Sequence, residues 1–130
     1  MIETVTYQNA IDEANQIRDG ITTDKILMVV FAMSNCEVCK PWLEQVMEPI
    51  SENMKDDLTM VLVYIDHNDM VFPPPQVPSS YIFVPGHPKN QSISRLGPAP
   101  MEMVEQDLAR FINMKNEKRT LYEAFYKKSV

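Results

Sequence analysis

The pattern of apolar and polar positions divides the chain into helix-like and strand-like stretches. Between residues 7 and 18, apolar side chains recur every three or four positions, which predicts an amphipathic helix. Thr6 is a candidate N-cap for this helix and Gly20 a candidate stop. Two continuous apolar runs, at 26–31 and 58–65, are too short to cross a bilayer and predict buried strands. We interpret the second run as the central strand of a sheet.

Prolines shape the middle of the chain. A helix is predicted from residue 36 or 37 to about residue 54. Pro41 falls in its first turn, where the missing N–H does no harm, and Pro49 falls in its interior, where it should kink or interrupt the helix. Three successive prolines within residues 71–78 exclude helix and sheet there and favour an extended course.

The last third of the chain predicts a hairpin followed by a helix. Strands are expected at 80–84 and 92–96, joined by a turn at 85–90. An amphipathic helix is then marked by apolar residues at Val104, Leu108, Phe111 and Ile112. The charged tail 116–130 is either an added helix or a frayed end, and we favour a helix. One more short strand is possible at 2–5.

This order of elements predicts an α/β fold with parallel strands first and an antiparallel hairpin last. A length of 130 residues suits a single domain, 1–130, with one core. The net charge of −6 argues against general nucleic-acid binding, because an acidic chain repels phosphate. No run of about 20 apolar residues predicts a membrane span. Residues 1–10 lack a basic region followed by an apolar core, so we expect no secretory signal.

The two cysteines are the strongest chemical signal in the sequence. Cys36 and Cys39 form a Cys-x-x-Cys where the strand at 26–31 gives way to a helix. The amide groups at a helix N-terminus favour the thiolate, the reactive form of cysteine, so the pair is interpreted as a dithiol redox site. With two cysteines and no disulfide framework, a reducing, cytoplasmic compartment is expected.

Two other interpretations of the cysteines stay open. They could be inert core residues, since cysteine packs as a small hydrophobe. They could also ligate a metal, but a zinc site needs four ligands and only His67 and His87 could add to the pair. An iron–sulfur cluster shared by two chains would need only two cysteines from each. We expect no metal.

Together with the sequence Val77-Pro78-Ser79 ahead of the third strand, these features resemble the thioredoxin family over residues 7–112. The resemblance implies a thioredoxin-like fold, with a central mixed sheet flanked by helices and an extra C-terminal helix. It implies a cis peptide bond before Pro78, which lies 42 positions after Cys36. Gly97 corresponds to the family's glycine beside the substrate groove.

The resemblance also implies a function and roles for residues. Cys36 and Cys39 would be catalytic in thiol–disulfide exchange, with the Cys36 thiolate attacking a protein disulfide and Cys39 resolving the mixed disulfide. Lys40 would modulate Cys36 by favouring its thiolate, whereas the negative charge of Glu37 would disfavour that thiolate. Substrate-binding positions would be Asn35, Glu37, Val38, Val77, Pro78 and Gly97. No cofactor is expected beyond the Cys36–Cys39 disulfide itself. Protein disulfides would be the substrates, and a thioredoxin reductase or a small thiol would supply electrons to a monomer.

Several positions depart from the family's pattern. Glu37-Val38 replaces the usual Gly-Pro between the cysteines, and Asn35 replaces an aromatic residue. The family's buried acid and its lysine partner would fall at Val30 and Leu62, so an apolar pair has replaced a charged pair. The proline run replaces a helix. These departures keep a second function open, a thioredoxin-like scaffold that binds a partner protein and whose redox activity is incidental.

Overall fold

Five strands form one mixed sheet in the computed structural model, which describes residues 2–18, 25–85 and 93–125. The strands are β1 Glu3–Thr4, β2 Ile26–Ala32, β3 Leu58–Tyr64, β4 Ser79–Phe83 and β5 Ile93–Leu96. Their order across the sheet is β1-β3-β2-β4-β5. β1 and β2 run parallel to β3, whereas β4 is antiparallel to both β2 and β5. The α/β class, the short first strand and the closing hairpin are therefore confirmed.

The middle strand is β2, so the expectation that residues 58–65 form the central strand is wrong. β3 lies one place further out because β1 covers its far edge while β4 adds to the other side of β2. All seven residues of β2 are buried. That explains its uninterrupted apolar run, since a strand covered on both faces does not alternate.

Two apolar clusters lie on the opposite faces of this sheet. Met28 and Val30 of β2 contribute to the first, which also contains Cys39 and Trp42. Val29 and Phe31 contribute to the second, where Ala10 and Ile17 of the first helix cover the sheet. Successive strand residues point to opposite faces, so one strand contributes to both clusters. The fold thus has a helix layer on each side of the sheet.

The first helix, α1, spans Tyr7–Arg18. The predicted N-cap is confirmed, because the backbone N–H of Asn9 donates to Thr6 Oγ1 at 3.1 Å. The predicted stop at Gly20 lies outside the described residues. Asn68 also holds the start of this helix, since the Tyr7 N–H donates to Asn68 Oδ1 at 2.9 Å.

A second helical stretch follows β2 and consists of α2 Cys39–Trp42, a π-helical segment Leu43–Met47 and α3 Glu48–Asn53. It begins at Cys39 and not at residue 36 or 37, because the preceding residues form turns. The interruption expected at Pro49 is the π-helical segment just before it. Pro49 has no N–H to offer the preceding turn, and a wider turn accommodates that loss.

The last helix, α4, runs without a break over Met101–Phe125, about 37 Å at 1.5 Å per residue. The sequence predicted a separate helix for the tail from residue 116. The structure has one continuous helix instead, and residues 126–130 lie outside its described part. Arg95 of β5 anchors α4 by donating two hydrogen bonds to the buried carboxylate of Asp107. Among the described residues, no helix combines the length and apolar character that crossing a membrane requires.

Candidate active site

Three connecting segments meet at one edge of the sheet. β2 and β3 are parallel, so the segments that leave them begin at the same edge. β4 is antiparallel to β2 and starts at that edge, and β5 is antiparallel to β4 and ends there. The edge therefore brings together residues 33–38, 65–78 and 97–100, which contain Cys36, Pro78 and Gly97, and Cys39 directly follows the first of these segments.

A disulfide joins Cys36 to Cys39, with their Cα atoms 5.3 Å apart. Cys36 is partly buried, whereas Cys39 is only 1% exposed and belongs to the first apolar cluster. The backbone N–H of Cys39, the first helical residue, donates to Cys36 Sγ at 3.1 Å. An N–H directed at a sulfur stabilises negative charge there. The geometry thus distinguishes a partly exposed cysteine, whose sulfur receives an N–H, from a buried one.

The other positions predicted around the cysteines are solvent-exposed. Asn35 and Glu37 lie in the turns beside Cys36, and Lys40 lies in the first turn of α2. Val38 is 52% exposed, which is unusual for a valine. All four side chains are therefore accessible to a protein that approaches the disulfide.

The segment before β4 forms the other side of this edge. The Val77–Pro78 peptide bond is cis, the conformation that the resemblance implies. Pro78 is fully buried, and Val77 packs against the same apolar cluster as Cys36. The Gly97 N–H donates to the Pro78 carbonyl at 2.7 Å, which joins the end of β5 to this segment.

Gly97 is suited to its position by its backbone conformation. Its φ is +88°, a region that residues with a Cβ rarely adopt. A Cβ added here would also lie 3.3 Å from Gln76 Nε2, within the segment that leads to Pro78. A larger residue at this position would therefore strain the backbone beside the cis proline.

Trp42 ties the helix that follows the cysteines to the third segment. Its indole Nε1 donates to the Ala99 carbonyl at 2.8 Å, and the ring is buried. The indole N–H needs an acceptor when the ring is buried, and here a backbone carbonyl serves. Sequence reasoning placed Trp42 in the core but did not find this contact.

Ser34 and Asp66 form a contact that sequence reasoning missed entirely. The Ser34 N–H donates to Asp66 Oδ1 at 3.1 Å, and the Ser34 hydroxyl donates to Asp66 Oδ2. Both bonds lower the pKa of the Asp66 carboxyl below its ordinary value, and the bond from the Ser34 hydroxyl has the larger effect. His67 Nε2 lies 3.7 Å from Asp66 Oδ2. The only available signal was the position of Asp66 directly after the second apolar run.

Val30 and Leu62 lie side by side, as their correspondence to a charged pair requires. They are register partners on β2 and β3, and both belong to the cluster that contains Cys39. Neither can accept a proton from Cys39.

Among the described residues, no three His, Cys, Asp or Glu side chains are grouped so that they could hold a metal ion. His87 lies outside those residues.

Comparison with known proteins identifies the fold. Neither the protein-family models nor the curated proteins contain a match to the chain. Among solved structures, chloroplastic thioredoxin z matches with a TM-score of 0.66 and 17% identity, over 85% of this chain and 93% of that one. The germline-specific thioredoxin Deadhead from Drosophila melanogaster matches with a TM-score of 0.61 and 15% identity, over 85% and 98%. The chain therefore has a thioredoxin fold, and it carries a Cys-x-x-Cys disulfide at the end of the middle strand.

Proposed function

We propose that this protein is a thiol–disulfide oxidoreductase of the thioredoxin type that reduces disulfides in other proteins. One observation carries the proposal: a partly exposed Cys36 is paired with a buried Cys39 whose N–H points at the Cys36 sulfur. The thioredoxin fold supports it, and both sulfurs lie at the same edge of the sheet as Pro78.

In the proposed reaction, the reduced protein acts first through Cys36. Its thiolate attacks one sulfur of the substrate disulfide, so a Cys36–substrate bond forms, the substrate S–S bond breaks and a first substrate thiolate leaves. The Cys39 thiolate then attacks the Cys36 sulfur, forming the Cys36–Cys39 disulfide and releasing the second substrate thiolate. Two electrons pass to the substrate, and both of its thiolates take up protons. The disulfide in the structure corresponds to the protein at the end of this sequence.

A reductant must then return two electrons to the Cys36–Cys39 disulfide. A thioredoxin reductase or a small thiol would serve, and both belong to a reducing compartment such as the cytoplasm. Electron transport through this one dithiol needs no additional cofactor. We propose that the protein works as a monomer, since both cysteines of the reaction lie on one chain.

Substrate proteins are proposed to bind across the segments that surround Cys36. The backbone beside Val77 would pair with an extended chain in the manner of an added strand. Asn35, Glu37 and Gly97 would border that chain. Val38 and Phe72, which are 52% and 88% exposed, offer apolar contacts of the kind that protein partners cover.

The proposal is tested by the reduction of insulin disulfides in the presence of dithiothreitol. The wild-type protein should accelerate the reaction, and Cys36→Ser should reduce it to the rate without protein. Cys39→Ser should keep the first attack and accumulate a mixed disulfide that mass spectrometry detects. No acceleration by the wild type would reject the proposal, and a mixed disulfide trapped by Cys36→Ser instead would reverse the two roles.

A binding scaffold is the second candidate, favoured by the apolar pair at Val30 and Leu62. These residues leave Cys39 without a neighbouring proton acceptor at the position where the family has one. A scaffold should bind its partner equally well as wild type and as Cys36→Ser. A reductase should lose its biological effect with that substitution, even where partner binding persists.

A further inference from the structure

We propose that Asp66 is a positioning residue for Cys36 and that it acts through Ser34. The inference rests on the proposed function, because it concerns how the dithiol is prepared for exchange. Ser34 lies two residues after the end of β2 and two residues before Cys36. Asp66 follows β3, the parallel neighbour of β2, so the contact bridges two segments that leave the sheet side by side.

The segment between β2 and the helix is irregular. Residues 33–38 form turns, and the Cys36 N–H donates to the Met33 carbonyl at 3.2 Å within that segment. The two bonds from Ser34 to Asp66 attach the segment to the rest of the protein. Both the N–H and the hydroxyl of Ser34 act as donors in these bonds, so the bonds define the orientation of the residue as well as its location.

The ionised carboxylate suits this role, because each oxygen accepts one bond from Ser34. Asp66 and Ser34 are both exposed, so water competes for the same bonds and the gain in overall stability is small. The consequence we expect is local. Cys36 is held where its sulfur meets the Cys39 N–H and the Cys39 sulfur.

Equilibration of the protein with glutathione measures this effect directly. The protein dithiol and one oxidised glutathione give the protein disulfide and two reduced glutathione molecules, so the equilibrium constant reports how well Cys36 and Cys39 are placed for each other. Asp66→Ala should lower this constant about fivefold to tenfold, the effect of losing one or two hydrogen bonds. Ser34→Ala should lower it about threefold, because the N–H bond to Asp66 remains.

Two control variants separate positioning from charge. Asp66→Asn removes the charge, but its amide can accept from the Ser34 N–H and donate to the Ser34 hydroxyl, so the constant should stay within about twofold of wild type. Asp69→Ala removes a charge from the same exposed segment and should also stay within about twofold. The effects of Asp66→Ala and Ser34→Ala should not multiply when they are combined, since both break one contact.

Three results would overturn the inference. The first is a constant for Asp66→Ala within twofold of wild type. The second is an equal fall for Asp66→Asn and Asp66→Ala, which would assign the effect to charge. The third is independent, multiplying effects of Asp66→Ala and Ser34→Ala. If Asp66→Ala does not fold, a wild-type constant for Ser34→Ala overturns it as well. Insulin reduction is not part of this measurement, so a wild type that oxidises normally yet leaves insulin intact rejects the proposed function alone.

Discussion

Replacing Val30 by Asp tests how the apolar pair Val30 and Leu62 affects the stability of the fold and the reactivity of Cys39. Val30 has no exposed surface and lies opposite Leu62 in a cluster that includes Cys39. The substitution returns a carboxyl to the position where the resemblance implies a buried acid, without its basic partner. We expect a less stable protein in which Cys39 resolves the mixed disulfide faster.

The cost in stability has two parts. A buried carboxyl that stays protonated costs about 1–3 kcal/mol. Ser80, the buried register partner of Val30 on β4, offers one hydroxyl, so we take about 2 kcal/mol. Burial also raises the pKa of the introduced carboxyl above the ordinary ~3.9, and each unit adds about 1.4 kcal/mol at neutral pH. A rise of about two units would bring the total near 5 kcal/mol at pH 7, a large share of a typical 5–15 kcal/mol.

These free energies convert to measurable temperatures. An unfolding entropy of about 2.1 cal/mol/K per residue gives roughly 0.27 kcal/mol/K for 130 residues. The midpoint should therefore fall by about 7 °C near pH 4 and by about 18 °C at pH 7. The sign follows from the raised pKa: the folded protein binds the extra proton more tightly than the unfolded chain, so the penalty grows as pH rises above ~3.9.

Thermal unfolding from pH 4 to pH 7 tests both parts against a matched variant. Val30→Asn buries a similar polar group that does not titrate, so its loss of stability should not change with pH. Adding Leu62→Lys to Val30→Asp should recover part of the loss at pH 7, because the two positions are register partners. An unchanged midpoint for Val30→Asp, or the same pH dependence as Val30→Asn, would refute the argument that an introduced charge here is buried and unpaired.

Two further predictions concern groups outside this pair. Burial, with the nearby Glu3 carboxylate, raises the pKa of Glu13, so its ionised form destabilises the fold above pH ~4.5. Glu13→Gln should raise the melting temperature at pH 7 but not at pH 3, and an equal change at both would contradict this. Phe72→Ser removes an exposed ring at the proposed substrate surface, so the KM for insulin should rise about threefold to tenfold while reduction of a small aromatic disulfide stays unchanged. Equal loss with both substrates would show that Phe72 supports the fold instead.

The local elements were predictable because their signals lie within a few residues. The apolar run of β2, the Cys-x-x-Cys and the helix after it follow each other along the chain, so their juxtaposition needs no long-range information. The hairpin of β4 and β5 was predictable for the same reason. Thr6 as N-cap is a contact over three residues.

Long-range order was harder to predict. β2 and β3 are equally long and both are mostly apolar, and the pairing of β1 and β4 decides which of them is central. The start of α2 at Cys39 depends on turn geometry that composition does not reveal. The sequence predicts two helices where α4 is continuous, because the charged residues at 115–119 interrupt the apolar positions. Lys and Glu are nevertheless good helix formers, and the helix continues through them.

The hydrogen bonds that join the segments around the candidate active site share one feature. It explains why sequence motifs do not predict them. Trp42 and Gly97 each donate to a backbone carbonyl, those of Ala99 and Pro78. A carbonyl is present whatever side chain occupies its position, so the acceptor leaves no mark in the sequence. The donors are more constrained, because Trp42 must supply an indole and Gly97 must keep its positive φ. Asp66 is the exception among these acceptors, since it uses a side chain. Substitution of Asp66 removes the acceptor itself, so the contact between Ser34 and Asp66 depends directly on the sequence.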